Sequence, residues 1–150
     1  GCSEHECGLA IDLALNQDDI DPICPSFPDH GICGLFRKQG ASAGFIERYK
    51  ESKKEITKIS GEEWHFRYVG IPHALIMLET GFCLEEYIEW IRNYPLTRHP
   101  LYYEGWTIGY VSQDMPLPKL DKNLECSISG DNVKGWIVTC AGHVKFDTVE

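Results

Sequence analysis

Residues Glu62–Gly70 read E-E-W-H-F-R-Y-V-G, and the stretch Trp64–Val69 is the strongest strand signal in the chain. Alternation puts Trp64, Phe66 and Tyr68 on one face and His65, Arg67 and Val69 on the other. Upstream, Gly8–Leu15 (G-L-A-I-D-L-A-L) reads as a second strand. Leu9, Ile11, Leu13 and Leu15 share one parity; Ala10, Asp12 and Ala14 share the other. Between the two strands lie an Asp- and Pro-rich loop (Asn16–Pro28), a helix over Ile32–Gln39 closing near Gly40, a short strand over Gly44–Tyr49 and a polar connection over Glu51–Ser60. Downstream, one helix opens near Pro72 and stops at Gly81. A second runs from Leu84 to about Asn93, with Leu84, Tyr87, Ile88 and Ile91 at core spacing, and Pro95 ends it. Beyond Pro95, Trp106–Ser112 and Gly135–Cys140 read as strands, with a hairpin turn at Gly130–Asn132. The pattern predicts an α+β core over residues 1–94 and a small β-rich appendage over residues 95–150.

Composition narrows the function. A length of 150 residues with 43% hydrophobic content supports a packed core and excludes global disorder. A net charge of -9 argues against nucleic-acid binding, which needs clustered Lys and Arg. No apolar run approaches the ~18–20 residues of a membrane span, and no signal-peptide pattern opens the sequence. The seven cysteines include no C-x-x-C pair, which argues against a zinc ribbon. They read as mostly reduced thiols, with Cys24 and Cys33 the first candidates for a pair in an oxidising compartment.

Two clusters carry chemistry: Ser3–Asp12, S-E-H-E-C-G-L-A-I-D, and Glu62–His65, E-E-W-H. A catalytic zinc takes three protein ligands and keeps one position open. His5 and Asp12 would lie ~23 Å apart on a straight strand at ~3.3 Å per residue. Sharing an ion therefore requires a bend between them, which Gly8 permits. His65 would supply the third ligand from a neighbouring strand, and two imidazoles with one carboxylate suit zinc. A lone histidine, however, is more often a packing or surface residue than a ligand, and His30, His73, His99 and His143 read as structural. Glu62 stands three residues before His65, where a turn into the strand can bring a carboxylate beside the open position as general base. Its other reading is a solvated loop carboxylate, which is the reading given to Glu63.

The two clusters resemble the VanY and VanXY D,D-peptidases, whose pattern is S-x-H-x-x-G-x-A-x-D followed by E-P-W-H-x-R-Y-V-G. Three further segments look like parts of that family: G-F-I-E-R-Y-K-E-S-K-K-E-I-T-K-I between the clusters, G-F-C-L-E-E-Y behind them, and I-S-G-D-N-V-K-G-W-I-V-T in the tail. The resemblance implies a zinc-peptidase fold shared with hedgehog domains, a mostly antiparallel central sheet with helices, plus the appendage. It implies zinc as cofactor held by His5, Asp12 and His65, Glu62 as general base and Ser3 as a substrate contact. The implied reaction removes the terminal D-Ala from D-Ala-D-Ala peptides or the free dipeptide, precursors of peptidoglycan, as in vancomycin resistance. No nucleic acid or membrane contact is expected. The tail and the unpaired cysteines lean towards a cytoplasmic, VanXY-type enzyme; the alternative is an extracytoplasmic, membrane-anchored parent.

Glu63 replaces the family's Pro, and Lys58 replaces a usual Gly. The family also has a region before the serine motif, including an Arg that stabilises the oxyanion. Only two residues precede Ser3 here, so the chain reads as truncated, with metal binding expected to survive better than turnover; losing one such group costs ~10²–10³ in rate. A second function class is a zinc-containing peptide- or partner-binding module of the same fold. The retained Glu62 argues against it.

Overall fold

The aromatic face of β3 (Glu62–Tyr68) decides how the first part of the chain packs. In the computed structural model, which describes residues 3–146, β3 is the middle strand of an antiparallel three-stranded sheet. Its neighbours are β1 (Ala10–Asp12) and β2 (Phe45–Tyr49). Phe66 is 2% exposed and joins Phe27 and Cys33 in a core cluster, with Trp64, Leu13 and Leu15 packed on it. Phe27, Phe36 and Phe66 meet edge to face, which suits their ring quadrupoles. Phe36 comes from α1 (Gly31–Gln39), so the helix and the Asp- and Pro-rich loop lie on the apolar side of β3. Arg37, from the same helix, donates to the Phe27 carbonyl, the Glu63 carbonyl and Glu47.

Gly44, with φ +87, turns the chain from a 3-10 turn into β2, and an added Cβ there would lie 2.6 Å from the Tyr68 ring. The expected polar connection contains a 3-10 turn (Glu51–Lys53) and a short helix, α2 (Lys54–Thr57). Lys58 closes α2 in the left-handed conformation, φ 62. Helix α3 (Ile71–Thr80) carries Pro72 in its first turn and ends at Gly81; α4 spans Leu84–Ile91.

The first strand is shorter than its alternation suggests. Only Ala10–Asp12 pair regularly, and Ile11 is exposed because β1 is an edge strand.

Contacts divide the chain into Gly1–Glu85 and Glu86–Glu150. The second unit contains a four-stranded antiparallel sheet in the order β4-β5-β7-β6. Its strands are β4 (Leu101–Tyr103), β5 (Trp106–Ser112), β6 (Cys126–Gly130) and β7 (Gly135–Ala141). Neither β4, three residues long, nor β6, four of whose five residues are exposed, carries a pattern long enough to be named from sequence. Leu96, Val111, Val138 and Cys140 form its buried cluster. Asp131 closes the β6–β7 hairpin: it accepts from the backbone N–H groups of Val133, Lys134 and Gly135, from the Tyr110 hydroxyl and from Arg92. Burial alone would raise its pKa, but these donors hold the carboxyl well below the usual range.

The cysteine expectation needs correcting. The disulfide joins Cys126 and Cys140, direct partners across β6 and β7 with Cα atoms 4.1 Å apart. Cys24, in an exposed loop, and Cys33, in the apolar cluster, are not disulfide-bonded, and neither are Cys7 and Cys83. Cys2 lies outside the described residues. No helix among the described residues is long and apolar enough to cross a membrane.

Candidate metal centre

The polar side of the three-stranded sheet brings the first cluster onto the second. Ser3–Gly8 folds into successive turns, closed by Glu6 N–H to the Ser3 carbonyl and Gly8 N–H to the His5 carbonyl. Gly8, at φ +69, reverses the chain into β1. The bend required between His5 and Asp12 is therefore present. Asp12 then pairs directly with His65 across β1 and β3. Antiparallel partners project to the same side of a sheet, so both side chains leave it together.

The resulting geometry is close. Asp12 Oδ1 lies 2.9 Å from His65 Nδ1, and Asp12 Oδ2 lies 3.4 Å from His5 Nε2. The two imidazoles meet edge to face at 4.9 Å. One ligand atom from each of His5, Asp12 and His65 falls within 4.8 Å of the others. A tetrahedral ion with bonds of ~2.0–2.1 Å separates its ligand atoms by roughly 3.3 Å, so this spacing fits one small divalent cation. His65 is the buried member, its side chain 8% exposed, whereas His5 and Asp12 are 42% and 45% exposed. An ion held here would have protein on the His65 side and solvent on the side of His5 and Asp12.

A layer of charge lies behind His65. Glu4 pairs with Arg48 Nε at 3.0 Å and Arg67 Nη1 at 2.9 Å, and its Oε2 lies 3.4 Å from His65 Nε2. Arg48 is 8% exposed and gives both terminal nitrogens to Glu85, at 3.0 and 2.7 Å. Burial opposes the charge on Glu4, but the hydrogen bond and charge of Arg48 and the charge of Arg67 outweigh it and keep the carboxyl below its ordinary value. Tyr49 stacks on the His65 ring at 5.3 Å. Its phenol pKa is raised, first by burial and then by nearby carboxylates that include Glu62.

Glu62 opens β3 opposite Tyr49, at an irregularity in the β2–β3 register: pairing steps from Glu47 to Tyr49 on β2 but from Phe66 back to Glu62 on β3. The bulge re-aims the start of the strand, a common device beside functional sites. Ser3 Oγ accepts from the His5 backbone N–H at 3.3 Å and so braces the turn that carries His5. Glu63 is not merely solvated: its carboxylate accepts from the Phe27 N–H at 3.0 Å. Arg48 and Arg67 are both engaged by Glu4. The support layer of Glu4, Arg48, Tyr49 and Glu85 was missed in sequence. Its only sequence trace is the position of Glu4 beside His5 and of Arg48-Tyr49 at the end of a short strand.

Residues 1–71 match the family model of VanY, D-alanyl-D-alanine carboxypeptidase. The bifunctional D-Ala-D-Ala dipeptidase and carboxypeptidase VanXYC of Enterococcus gallinarum is 52% identical over 92 residues, covering 61% of this chain and 48% of the relative. A D-alanyl-D-alanine carboxypeptidase of Enterococcus faecium is 36% identical over 142 residues, covering 93% of this chain and 44% of its own length. This chain thus spans about half the length of these curated relatives. Among solved structures, the vancomycin-resistance D,D-dipeptidase VanXYg, in complex with a D-Ala-D-Ala phosphinate analogue, superposes with a TM-score of 0.82 at 44% identity, over 93% of this chain and 58% of that one. By sequence over residues 1–71 and by fold, the chain is similar to the VanY and VanXY D-alanyl-D-alanine peptidases.

Proposed function

We propose that residues 1–94 carry the metal-binding core of a zinc D,D-peptidase that hydrolyses the terminal bond of D-Ala-D-Ala peptides or of the free dipeptide. The observation that carries this reading is the convergence of His5, Asp12 and His65 within 4.8 Å. Two imidazoles and a carboxylate, one side buried and one open, form the donor set of a catalytic zinc. When bound, the ion supplies Lewis acidity towards a carbonyl and a water.

The chain's own residues supply the rest. His5 and Asp12 present the site to solvent and to an extended peptide end; His65 anchors it from the middle strand. Glu62, the first residue of β3 and paired with Tyr49, is the base of this reading: it takes a proton from water and returns it to the leaving amine. Ser3 braces the His5 turn and is the substrate contact of this reading. The relatives' substrates support this assignment, since VanXYg is held with a D-Ala-D-Ala analogue.

The test is release of D-Ala from dipeptide and pentapeptide, before and after chelation and with zinc restored, on this chain and on one extended upstream. Activity that needs zinc supports the reading. Zinc-independent release, or tight zinc binding with no release even from the extended chain, overturns it; the second result favours a binding module.

A further inference from the structure

We propose that Glu4 is the positioning residue of the metal centre: its carboxylate takes the Nε2–H of His65 and so fixes the tautomer whose Nδ1 lone pair faces the ion. This rests on the reading that His65 is a metal ligand.

The two ring nitrogens of His65 face different carboxylates. Nδ1 lies 2.9 Å from Asp12, inside the ligand cluster, and Nε2 lies 3.4 Å from Glu4, outside it. A neutral imidazole carries one N–H, and a nitrogen that binds metal must carry none. Binding through Nδ1 therefore places the proton on Nε2, where it needs an acceptor. His65 is 6% exposed, so solvent is a poor one. Ligating histidines generally donate their second N–H to an outer carboxylate or carbonyl, and Glu4 stands in that place.

The charges around Glu4 divide its two oxygens. Oε1 receives Arg48 Nε and Arg67 Nη1, while Oε2 is the oxygen directed at His65. Arg48 cannot drift, because both of its terminal nitrogens are held by Glu85. Glu4 and Glu85 against Arg48 and Arg67 make a balanced set of two anions and two cations. The support layer thus holds the imidazole without adding net charge behind the ion. Ring orientation is fixed independently by Tyr49, stacked on His65 at an interplanar angle of 23°. If Glu4 served only as an ion-pair partner for the arginines, its loss would lower stability and leave metal affinity alone.

The experiment measures zinc affinity by chelator competition for the wild-type chain, E4Q and E4A, with unfolding curves of the zinc-free proteins alongside. Nitrogen-15 spectra of zinc-loaded wild type report which His65 nitrogen carries the proton, and this needs no variant to fold. Expected are metal on Nδ1, a proton on Nε2, and affinity lower by roughly 10–100-fold in E4A and by less in E4Q. Metal on Nε2, or folded E4A and E4Q binding zinc within twofold of wild type, overturns the role of Glu4 while leaving the metal centre standing. A wild-type chain that binds no zinc overturns both.

Discussion

The two sheets bury different kinds of side chain. In the three-stranded sheet, His65 and Arg48 are 6% and 8% exposed, and the space behind them is filled by Glu4, Arg67 and Glu85. In the four-stranded sheet, Ile108, Val138 and Cys140 have no exposed surface, and the buried acid Asp131 faces its own hairpin and Arg92. Buried charge costs free energy unless every lone pair and proton finds a partner. The first unit meets that cost around a cluster that opens to solvent; the second meets it to close a turn. The difference separates a unit built around a site from one built around packing, and substitutions should sort accordingly.

The largest effect is expected at the ligands. Asp12→Ala removes the residue that touches both imidazoles and should weaken zinc binding by roughly 10³-fold or more, read by chelator competition. Unchanged affinity would remove the site from the first unit. Glu62→Gln should keep the metal and lower kcat by about 10²–10⁴, the range of a general base, in an upstream-extended chain that turns over. Next comes the control in the other unit. Asp131→Ala removes the acceptor of Arg92 Nη2, the Tyr110 hydroxyl and three backbone N–H groups and should cost roughly 3 kcal/mol in denaturant unfolding, with zinc affinity held within twofold. A matching loss of zinc affinity would erase the distinction between the units.

Two smaller effects concern the first unit's scaffold. Burial in the first turn of α3 lowers the His73 pKa to about 4. Between ~6.5 and ~4 the unfolded chain binds a proton that the folded chain refuses, so stability is full above ~6.5 and falls as pH drops, by at most ~1.4 kcal/mol per pH unit. His73→Gln should flatten that slope in urea titrations of the zinc-free protein. Lys58→Gly relieves a left-handed residue at the end of α2 and should stabilise by ~0.5–1 kcal/mol, seen as a higher midpoint.

Much of this was legible in the residues. The alternation of β3 separated Trp64 and Phe66 from His65 and Arg67, and the structure places the first pair in the core and the second against Glu4. The spacing from His5 to Asp12 demanded a bend, and Gly8 supplies it. What escaped was of two kinds. Strand β4 is only three residues long and β6 is largely exposed, and their neighbours' hydrogen bonds define them, a non-local cause. The partners of His65 also come from afar: Glu4 lies on a turn, and Arg48 is fixed by Glu85, which stands 37 positions away in sequence. Periodicity reports which side of a strand a residue occupies, not what another segment lays upon it. The disulfide fell to the same cause, since the register of β6 on β7 sets Cys126 opposite Cys140.

The register of Asp12 on His65 has one further consequence. Strand β1 is three residues long and lies at the sheet's edge, tied by a short ladder and by its flanking residues, yet it sets one candidate ligand directly opposite another. An ion gripping both would act as a rivet between the strands. Slippage by one position would turn Asp12 to the far side, so metal occupancy and strand alignment are one equilibrium. Amide exchange over Ala10–Asp12 should therefore slow as free zinc rises, each tenfold increase above the dissociation constant adding ~1.4 kcal/mol against opening.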